Sequence, residues 1–211
     1  MFLHASFGLI TAVLAHRLFG ADTSWWLLCG VGVAAAFFPD LDVLRGRDKA
    51  GRVAAHSGNV KDHRHGLHYP TLTTLSIFLI VAVAVYSYTY VSSAGVANWP
   101  LVWFWAMFVA VNVILHFVID SFGVGWGIRW LYVPHWSATH NNYKFFCDKQ
   151  NRLSWQFLVS WTPEELKEAI KLYGDKDWLG KYLGSTGFLV EWIFFILTGA
   201  FTLIYFISAP H

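Results

Sequence analysis

The sequence has few charged residues and almost no cysteine. Asp, Glu, Lys and Arg make up 13% of its 211 residues, about half of the roughly 25% that is typical of soluble domains. The two cysteines lie far apart and form no CxxC pair, which excludes a disulfide framework and a zinc ribbon. A net charge of +2 is too small for the basic surface that nucleic acids require. No nucleic-acid partner is therefore expected.

Apolar and aromatic residues take the place of the missing charge. Hydrophobic residues make up 56% of the chain and aromatic residues 18%, including 12 Trp. No Asp, Glu, Lys or Arg occurs from Tyr69 to Ile119. Because a transmembrane helix needs about 20 apolar residues, this composition predicts an all-α integral membrane bundle with a small cytoplasmic helical segment.

About five transmembrane helices are predicted by the apolar stretches. The long charge-free run divides at residues 92–100, where Ser, Gly, Asn and Pro collect. The two N-terminal stretches are short, and they fit a hairpin of short or tilted helices that turns at residues 20–23. The predicted spans lie near residues 2–19, 24–38, 70–91, 101–121 and 187–208.

The basic residues orient these spans. Residues 39–69 and 122–186 are rich in Lys and Arg, whereas residues 92–100 contain neither. Because cytoplasmic loops carry the excess of Lys and Arg, both basic segments are expected on the cytoplasmic side of the inner membrane. The N-terminus is then cytoplasmic and the C-terminus lies outside. Membrane lipids are the expected partners, and no sequence feature identifies a protein partner.

The segment 136–186 is predicted to be a cytoplasmic loop with one amphipathic helix. Thr162-Pro163-Glu164-Glu165 is typical of a helix start, with a Thr cap, a Pro in the first position and a Glu that closes a capping box. Nearby lysines favour a position on the anionic inner leaflet, and packing over the protein's own loops is the alternative. The chain is thus divided into a metal-site region (1–135), this loop (136–186) and a C-terminal span (187–211).

Histidines and aspartates from four separate segments are predicted to lie at the cytoplasmic face. Ionisable groups near the hydrocarbon boundary are costly to desolvate unless they are paired or bind a cation. His116 and Asp120 are one helical turn apart and share a helix face. The full set, at positions where spans begin or end, is His4, Asp40, Asp42, His63, His65, His68, His116 and Asp120.

This set of residues favours a divalent metal site. Mixed imidazole and carboxylate ligands suit Zn, Mn or Fe better than Ca²⁺ or Cu⁺, and Zn or Mn is the expected cofactor. The surplus of ligands over one tetrahedral site allows either one ion or two ions about 3.5–4 Å apart. Three other interpretations stay open: the two aspartates end a helix at a turn, the His-rich loop is only interfacial, and His116 pairs with Asp120.

The same motifs resemble those of a known family, the LexA-binding, inner-membrane-associated hydrolases, also described as membrane-bound metal-dependent hydrolases. That family has an N-terminal His, Pro-Asp-x-Asp after an apolar helix, His-Arg-x-x-x-His, and His-x-x-x-Asp before a Gly-containing stretch. Val43 and Tyr69 depart from its pattern, which usually has His and Ser at those points. The resemblance covers residues 1–135 and is carried by His4 and residues 39–42, 63–68, 116–120 and 123–134.

The resemblance implies a metal-dependent hydrolase of the inner membrane. We expect Arg64 to hold a substrate phosphate or developing oxyanion and His65 to act as general acid or base. The boundary position favours a phospholipid or lipid-linked phosphate as substrate. A structural metal site and a membrane-anchored interaction protein are the alternatives. The expected ligands are Asp40, Asp42, His63, His68, His116 and Asp120. His4 is expected to be a further ligand or to hydrogen-bond one of these ligands.

Overall fold

The computed structural model describes residues 2–19, 24–44, 67, 69–122, 126–132, 136, 140–173, 184 and 186–208, without the side chains of residues 42–44, 171 and 173. Most of these residues are helical. The helices are α1 (Phe2–Phe19), α2 (Trp25–Phe37), α3 (Pro70–Ser92), α4 (Trp99–Phe122), α5 (Pro163–Tyr173) and α6 (Thr186–Ser208). A 3-10 helix covers Phe38–Leu44, and the two strands are β1 (Asn142–Cys147) and β2 (Leu153–Trp161).

Four helices, α1, α3, α4 and α6, are long and apolar enough to cross a membrane. The spans predicted near 70–91, 101–121 and 187–208 are confirmed, and each observed end lies within two residues of its predicted position. With 13 residues, α2 is shorter than the about 20 residues of a full crossing. Of the five predicted spans, four therefore have full length and one is a short apolar helix.

The chain forms two compact units. Met1–Phe38, Leu72–Leu115 and Glu191–His211 make up the first, and Pro39–Thr71 and His116–Val190 make up the second. The helix α4 contributes its long N-terminal part to the first unit and its last two turns to the second. Half of its apolar window is buried, against 6% for α3 and 11% for α6. Consequently α4 is an interior helix, whereas α3 and α6 expose the apolar surface that lipid requires.

In the first unit, α1 and α2 touch where two glycines face each other. A Cβ atom on Gly8 would lie 2.7 Å from the carbonyl oxygen of Gly32, and a Cβ atom on Gly32 would lie 2.5 Å from that of Gly8. Small residues allow helix backbones to approach this closely. The helices of the predicted N-terminal hairpin are thus confirmed, while its turn at residues 20–23 lies outside the described residues.

Aromatic side chains pack α6 against the N-terminal helices of the first unit. The ring of Phe2 on α1 lies 5.4 Å from that of Phe195. Near the other end of α6, the ring of Trp25 on α2 lies 5.4 Å from that of Tyr205. Because aromatic pairs add about 0.5–1.5 kcal/mol beyond their buried area, these contacts hold the middle and the C-terminal part of α6 against the N-terminal helices.

The second unit contains a β-hairpin that the sequence analysis missed. β1 and β2 pair antiparallel, with Asn142 opposite Trp161 and a bulge after Phe145. The hairpin lies within the segment 136–186, which was predicted as a loop with one helix. Its signal is nevertheless present, because two runs rich in aromatic and apolar residues flank the polar turn at 148–152. The all-α class still holds for the bundle, since these are the only strands among the described residues.

The predicted capping box at the start of α5 is confirmed. The hydroxyl of Thr162 accepts a hydrogen bond from the backbone N–H of Glu165 at 3.2 Å, and the carboxylate of Glu165 accepts one from the backbone N–H of Thr162 at 2.9 Å. Lys149 donates to the same carboxylate at 3.0 Å. The apolar face of α5 packs on the hairpin, where Leu166 is buried with Trp161. In the structure α5 therefore packs over the protein's own residues, which is the second of the two positions that the sequence left open.

We expect Glu165→Gln to reduce the acid sensitivity of this unit. The hydrogen bond from the Thr162 backbone, followed by the contact with Lys149, lowers the pKa of the Glu165 carboxyl below its ordinary value of 4.5. A carboxyl with a lower pKa in the folded state stabilises that state above the ordinary pKa, and this contribution is lost as the pH falls through the folded pKa. Gln keeps an accepting oxygen for Thr162 but does not titrate, so the variant should lose this part of the pH dependence.

Thermal unfolding in detergent at about pH 6, and then at successively lower pH, measures this effect, because the contribution of Glu165 falls as the pH drops below the ordinary carboxyl pKa of 4.5. Glu164→Gln is the matched control, since among the described residues Glu164 bonds neither Thr162 nor Lys149 although it lies in the same helical turn. The control should keep the pH dependence of the wild type. An identical loss of stability in acid for Glu165→Gln and wild type would contradict the prediction.

Candidate metal centre

A proline places the first of the candidate ligands. Because Pro39 has no backbone N–H, the α-helical hydrogen-bond ladder of α2 cannot continue through it. The chain continues as a 3-10 helix instead, in which the backbone N–H of Phe38 bonds to the carbonyl oxygen of Ala35 three residues earlier. Pro39 itself is fully buried. Asp40 follows directly on the 3-10 helix and is therefore held close to the end of an apolar helix.

His116 is at the centre of the candidate site, which lies in the second unit. Its side chain is fully buried, and its Nε2 atom lies 3.7 Å from Oδ1 of Asp40 and 3.6 Å from Oδ2 of Asp120. Asp120 stands one turn further along α4, so the two side chains share a face, as the spacing predicts. The structure therefore brings three of the predicted ligands together from two separate segments of the chain.

The two distances from the imidazole nitrogen of His116 to the carboxylates are close to those between ligands of one divalent metal. A direct N–H···O hydrogen bond spans about 2.7–3.2 Å, so the separations of 3.6 and 3.7 Å are longer than such a bond. Ligand atoms about 2.0–2.2 Å from a tetrahedral Zn²⁺ lie about 3.3–3.6 Å from one another. An imidazole nitrogen together with carboxylate oxygens is also a donor set that suits Zn or Mn. The residues present thus fit the predicted cofactor.

Six further site residues are predicted by the sequence besides Asp40, His116 and Asp120. The backbone of Asp42 lies on the same 3-10 helix, but its side chain is outside the described part of the chain. In the first unit, His4 is buried, with its ring 6.4 Å from that of Phe37. The roles of His4 and Asp42 stay predictions. The same holds for four residues that lie outside the described residues, namely His63, Arg64, His65 and His68.

A short loop at residues 126–132 braces the turn of α4 that carries Asp120. The indole N–H of Trp130 donates to the hydroxyl of Ser121 at 2.8 Å. The carbonyl oxygen of Trp130 in turn accepts a hydrogen bond from the hydroxyl of Thr71 at 3.1 Å. These two bonds fix the residue that follows Asp120 in the sequence, and they therefore restrict the position of its carboxylate.

The same loop is tied to the hairpin through a glycine. Gly127 has a φ of +76°, and a Cβ atom there would collide with the carbonyl oxygen of Tyr143. The next residue, Ile128, forms two backbone hydrogen bonds with Tyr143, at 2.9 and 2.8 Å. Only glycine adopts this backbone conformation at no steric cost, so the Gly-containing stretch after α4 forms a close turn against β1.

A second polar cluster in this unit was not predicted. The rings of Tyr69 and Tyr132 stack with centroids 3.8 Å apart, and Tyr132 also stacks on His140 at 5.2 Å. Arg129 donates to the side chain of Asn142 at 3.0 Å and hydrogen-bonds Tyr69. Burial raises the pKa of the Tyr69 hydroxyl, and the charge of Arg129 opposes this effect. Tyr69 departs from the family pattern, and Arg129 and Tyr132 lie in the stretch 123–134 that carries the resemblance, but neither feature predicts this cluster.

Comparison with known proteins gives one match. The YdjM inner membrane protein family matches residues 1–208. Comparisons with curated proteins and with solved structures gave no match. The family and the four long apolar helices confirm the predicted membrane location. The orientation of the N-terminus and the hydrolase activity stay predictions.

Proposed function

We propose that this chain, which belongs to the YdjM inner membrane protein family, is a metal-dependent hydrolase. One observation carries the proposal: the buried imidazole of His116 has the carboxylates of Asp40 and Asp120 at 3.7 and 3.6 Å. Two carboxylates beside one buried imidazole concentrate negative charge, and this is costly to desolvate unless a cation is bound. A divalent ion meets that requirement.

Asp40, His116 and Asp120 would hold the ion. When bound, a divalent metal lowers the pKa of coordinated water toward about 7 and polarises the oxygen of the group to be cleaved. His4, Asp42, His63 and His68 are the further ligands that the sequence supplies, and they would complete one site or build a second. The partly buried position of the two carboxylates strengthens their interaction with a cation relative to bulk water.

Arg64 and His65 are the proposed residues for contact with the substrate. The planar guanidinium of Arg64 would hold the oxyanion as charge develops on it. His65 would transfer a proton to the leaving group, since His63 and His68 account for the ligand pair of that loop. Arg129 is another cation of the same unit. Its guanidinium has five N–H donors, of which the Nε–H bonds Asn142.

The proposed substrate is a phospholipid or a lipid-linked phosphate. Asp120 stands two residues before the end of α4 at Phe122, so the candidate site lies where a membrane span ends. Phosphate groups of lipids lie at this depth, next to the hydrocarbon boundary. Hydrolysis of a phosphate ester uses the charge neutralisation that one or two divalent ions provide.

The first experiment is elemental analysis of the protein purified in detergent without added metal. We expect about one or two equivalents of Zn or Mn per chain. The same preparation should release phosphate from phosphatidic acid in mixed micelles. EDTA should abolish this activity, and Zn²⁺ or Mn²⁺ should restore it.

Two results would count against the proposal in different ways. Bound metal without exchangeable water, and without hydrolysis of any lipid phosphate, would favour the structural metal site. Absence of metal, with none taken up on titration, would overturn both the ion and the hydrolase. A non-hydrolysing preparation with metal and exchangeable water would move the search to carboxylic ester and amide substrates.

A further inference from the structure

The outer part of β2 exposes three large apolar side chains on one face. Leu153, Trp155 and Phe157 occupy alternate positions of β2, interleaved with Ser154 and Gln156, and alternate positions of an extended strand share a side. Their exposed fractions are 94%, 96% and 65%. The strand contains no charged residue. A contiguous apolar surface of this kind is uncommon in water and marks a place where another apolar surface lies.

Further along the same strand, this face becomes the core of the second unit. Val159 and Trp161 are each 1% exposed, and they pack with Leu166 of α5. The apolar face of β2 thus extends from Val159 and Trp161, which α5 covers, to the exposed residues at the start of the strand. The chain folds over Val159 and Trp161 but leaves Leu153 and Trp155 almost fully exposed and Phe157 largely exposed.

A row of aromatic rings joins this exposed face to the end of a membrane span. Phe122, the last residue of α4, lies 5.0 Å from Phe145 and 5.9 Å from Phe146, measured between ring centroids. Both of these rings contact Phe157, at 5.3 and 5.6 Å. The exposed face therefore begins beside Phe122, the last residue of a helix that is long and apolar enough to cross a membrane.

We propose that Leu153, Trp155 and Phe157, here called the aromatic ledge, insert into the interfacial layer of the lipid bilayer. Trp is enriched where the hydrocarbon meets the headgroups. Lys149 and Arg152 in the adjacent turn are exposed, and such side chains lay their aliphatic stems along apolar surface while the charge reaches the headgroups. The ledge anchors the hairpin at the membrane surface whether or not the unit binds metal.

Site-specific labelling tests the ledge in the full-length protein. In a background with Cys29→Ala and Cys147→Ala, Trp155→Cys is labelled with the environment-sensitive fluorophore NBD and reconstituted into phosphatidylcholine vesicles. Lipids with a doxyl spin label near the headgroup should quench the label at 155 about three times more than the label in Gln156→Cys, because interfacial side chains sink about 5–10 Å into the boundary layer. Aqueous iodide should show the reverse order.

Gln156→Cys is the matched control, since it lies on the same strand and points to the opposite side. Leu153→Cys keeps Trp155 and replaces the first variant if that one does not fold. Equal quenching by iodide at 155 and 156, without quenching by the doxyl lipids, would overturn the proposal. Protection of 153 and 155 from both quenchers would also overturn it, and it would assign the ledge to a protein surface instead.

Discussion

Asp120→Asn is expected to lose the bound metal while the protein remains folded in the membrane. Asn has nearly the volume of Asp, so the packing at the end of α4 should change little. The substitution removes a negative charge and a ligand atom that lies 3.6 Å from Nε2 of His116. Loss of an outer partner of a ligand already weakens metal affinity by about 10–100-fold, so loss of the ligand itself should cost at least about 100-fold.

Metal content of the purified variant, and its retention against a chelator, measure this loss. Asp40→Asn should behave in the same way, since its Oδ1 atom lies 3.7 Å from Nε2 of the same histidine. Glu168→Gln on α5 is the control, because it removes an exposed carboxylate of the same unit. Full metal retention in both aspartate variants would contradict the ligand set.

A second measurement separates a metal site from a simple ion pair. A bound metal stabilises the folded state by RT ln(1 + [metal]/Kd), so a chelator should lower the thermal midpoint of the wild type. In Asp120→Asn the same chelator should have little effect. If the three side chains only pair with one another, the variant changes the midpoint but the chelator changes neither protein.

The membrane spans could be predicted closely because the bilayer sets a local requirement. A spanning helix needs about 20 consecutive apolar residues, and this property is visible in a single stretch of sequence. The ends of α3, α4 and α6 were therefore predicted within two residues. The short helix α2 was harder, since its 13 residues satisfy the composition of a span without its length.

The hairpin was missed because strand formation depends on a partner elsewhere in the sequence. β-propensity reflects packing against neighbouring strands more than an intrinsic backbone preference. In a chain this rich in Trp and Phe, the aromatic residues of β2 look like an interfacial belt, and their alternation with Ser154 and Gln156 was the better signal. The capping box at Thr162, in contrast, is local and was predicted correctly.

The candidate site shows the same division between local and distant information. His116 and Asp120 are four residues apart on one helix, so their proximity follows from helical geometry. The approach of Asp40 to His116 depends on the packing of separate segments, and the sequence indicated only that both lie at one membrane face. Arg129 and Tyr132 lie in the stretch 123–134 that carries the family resemblance, but their contacts with Tyr69 and Asn142 depend on residues distant in the sequence.

The contact between α1 and α2 carries the second large prediction: Gly8→Ala or Gly32→Ala should destabilise the membrane bundle. A new Cβ atom would lie 2.7 or 2.5 Å from a backbone carbonyl oxygen, and the backbone cannot rotate away as a side chain can. The two helices must therefore separate, which in well-packed cores costs about 1–3 kcal/mol. Small residues are what permits such a close crossing in a bilayer.

Helix propensity acts in the opposite direction, and a neighbouring glycine isolates it. Replacing Gly by Ala inside a helix gains about 1 kcal/mol. A Cβ atom on Gly30, also on α2, would meet no atom within 4 Å, so Gly30→Ala should be neutral or stabilising. Denaturant unfolding in mild detergent, followed by circular dichroism, compares the three variants. Equal stability of Gly30→Ala and Gly32→Ala would show that α1 and α2 do not meet at these glycines, whereas a loss confined to Gly8 and Gly32 requires the close crossing.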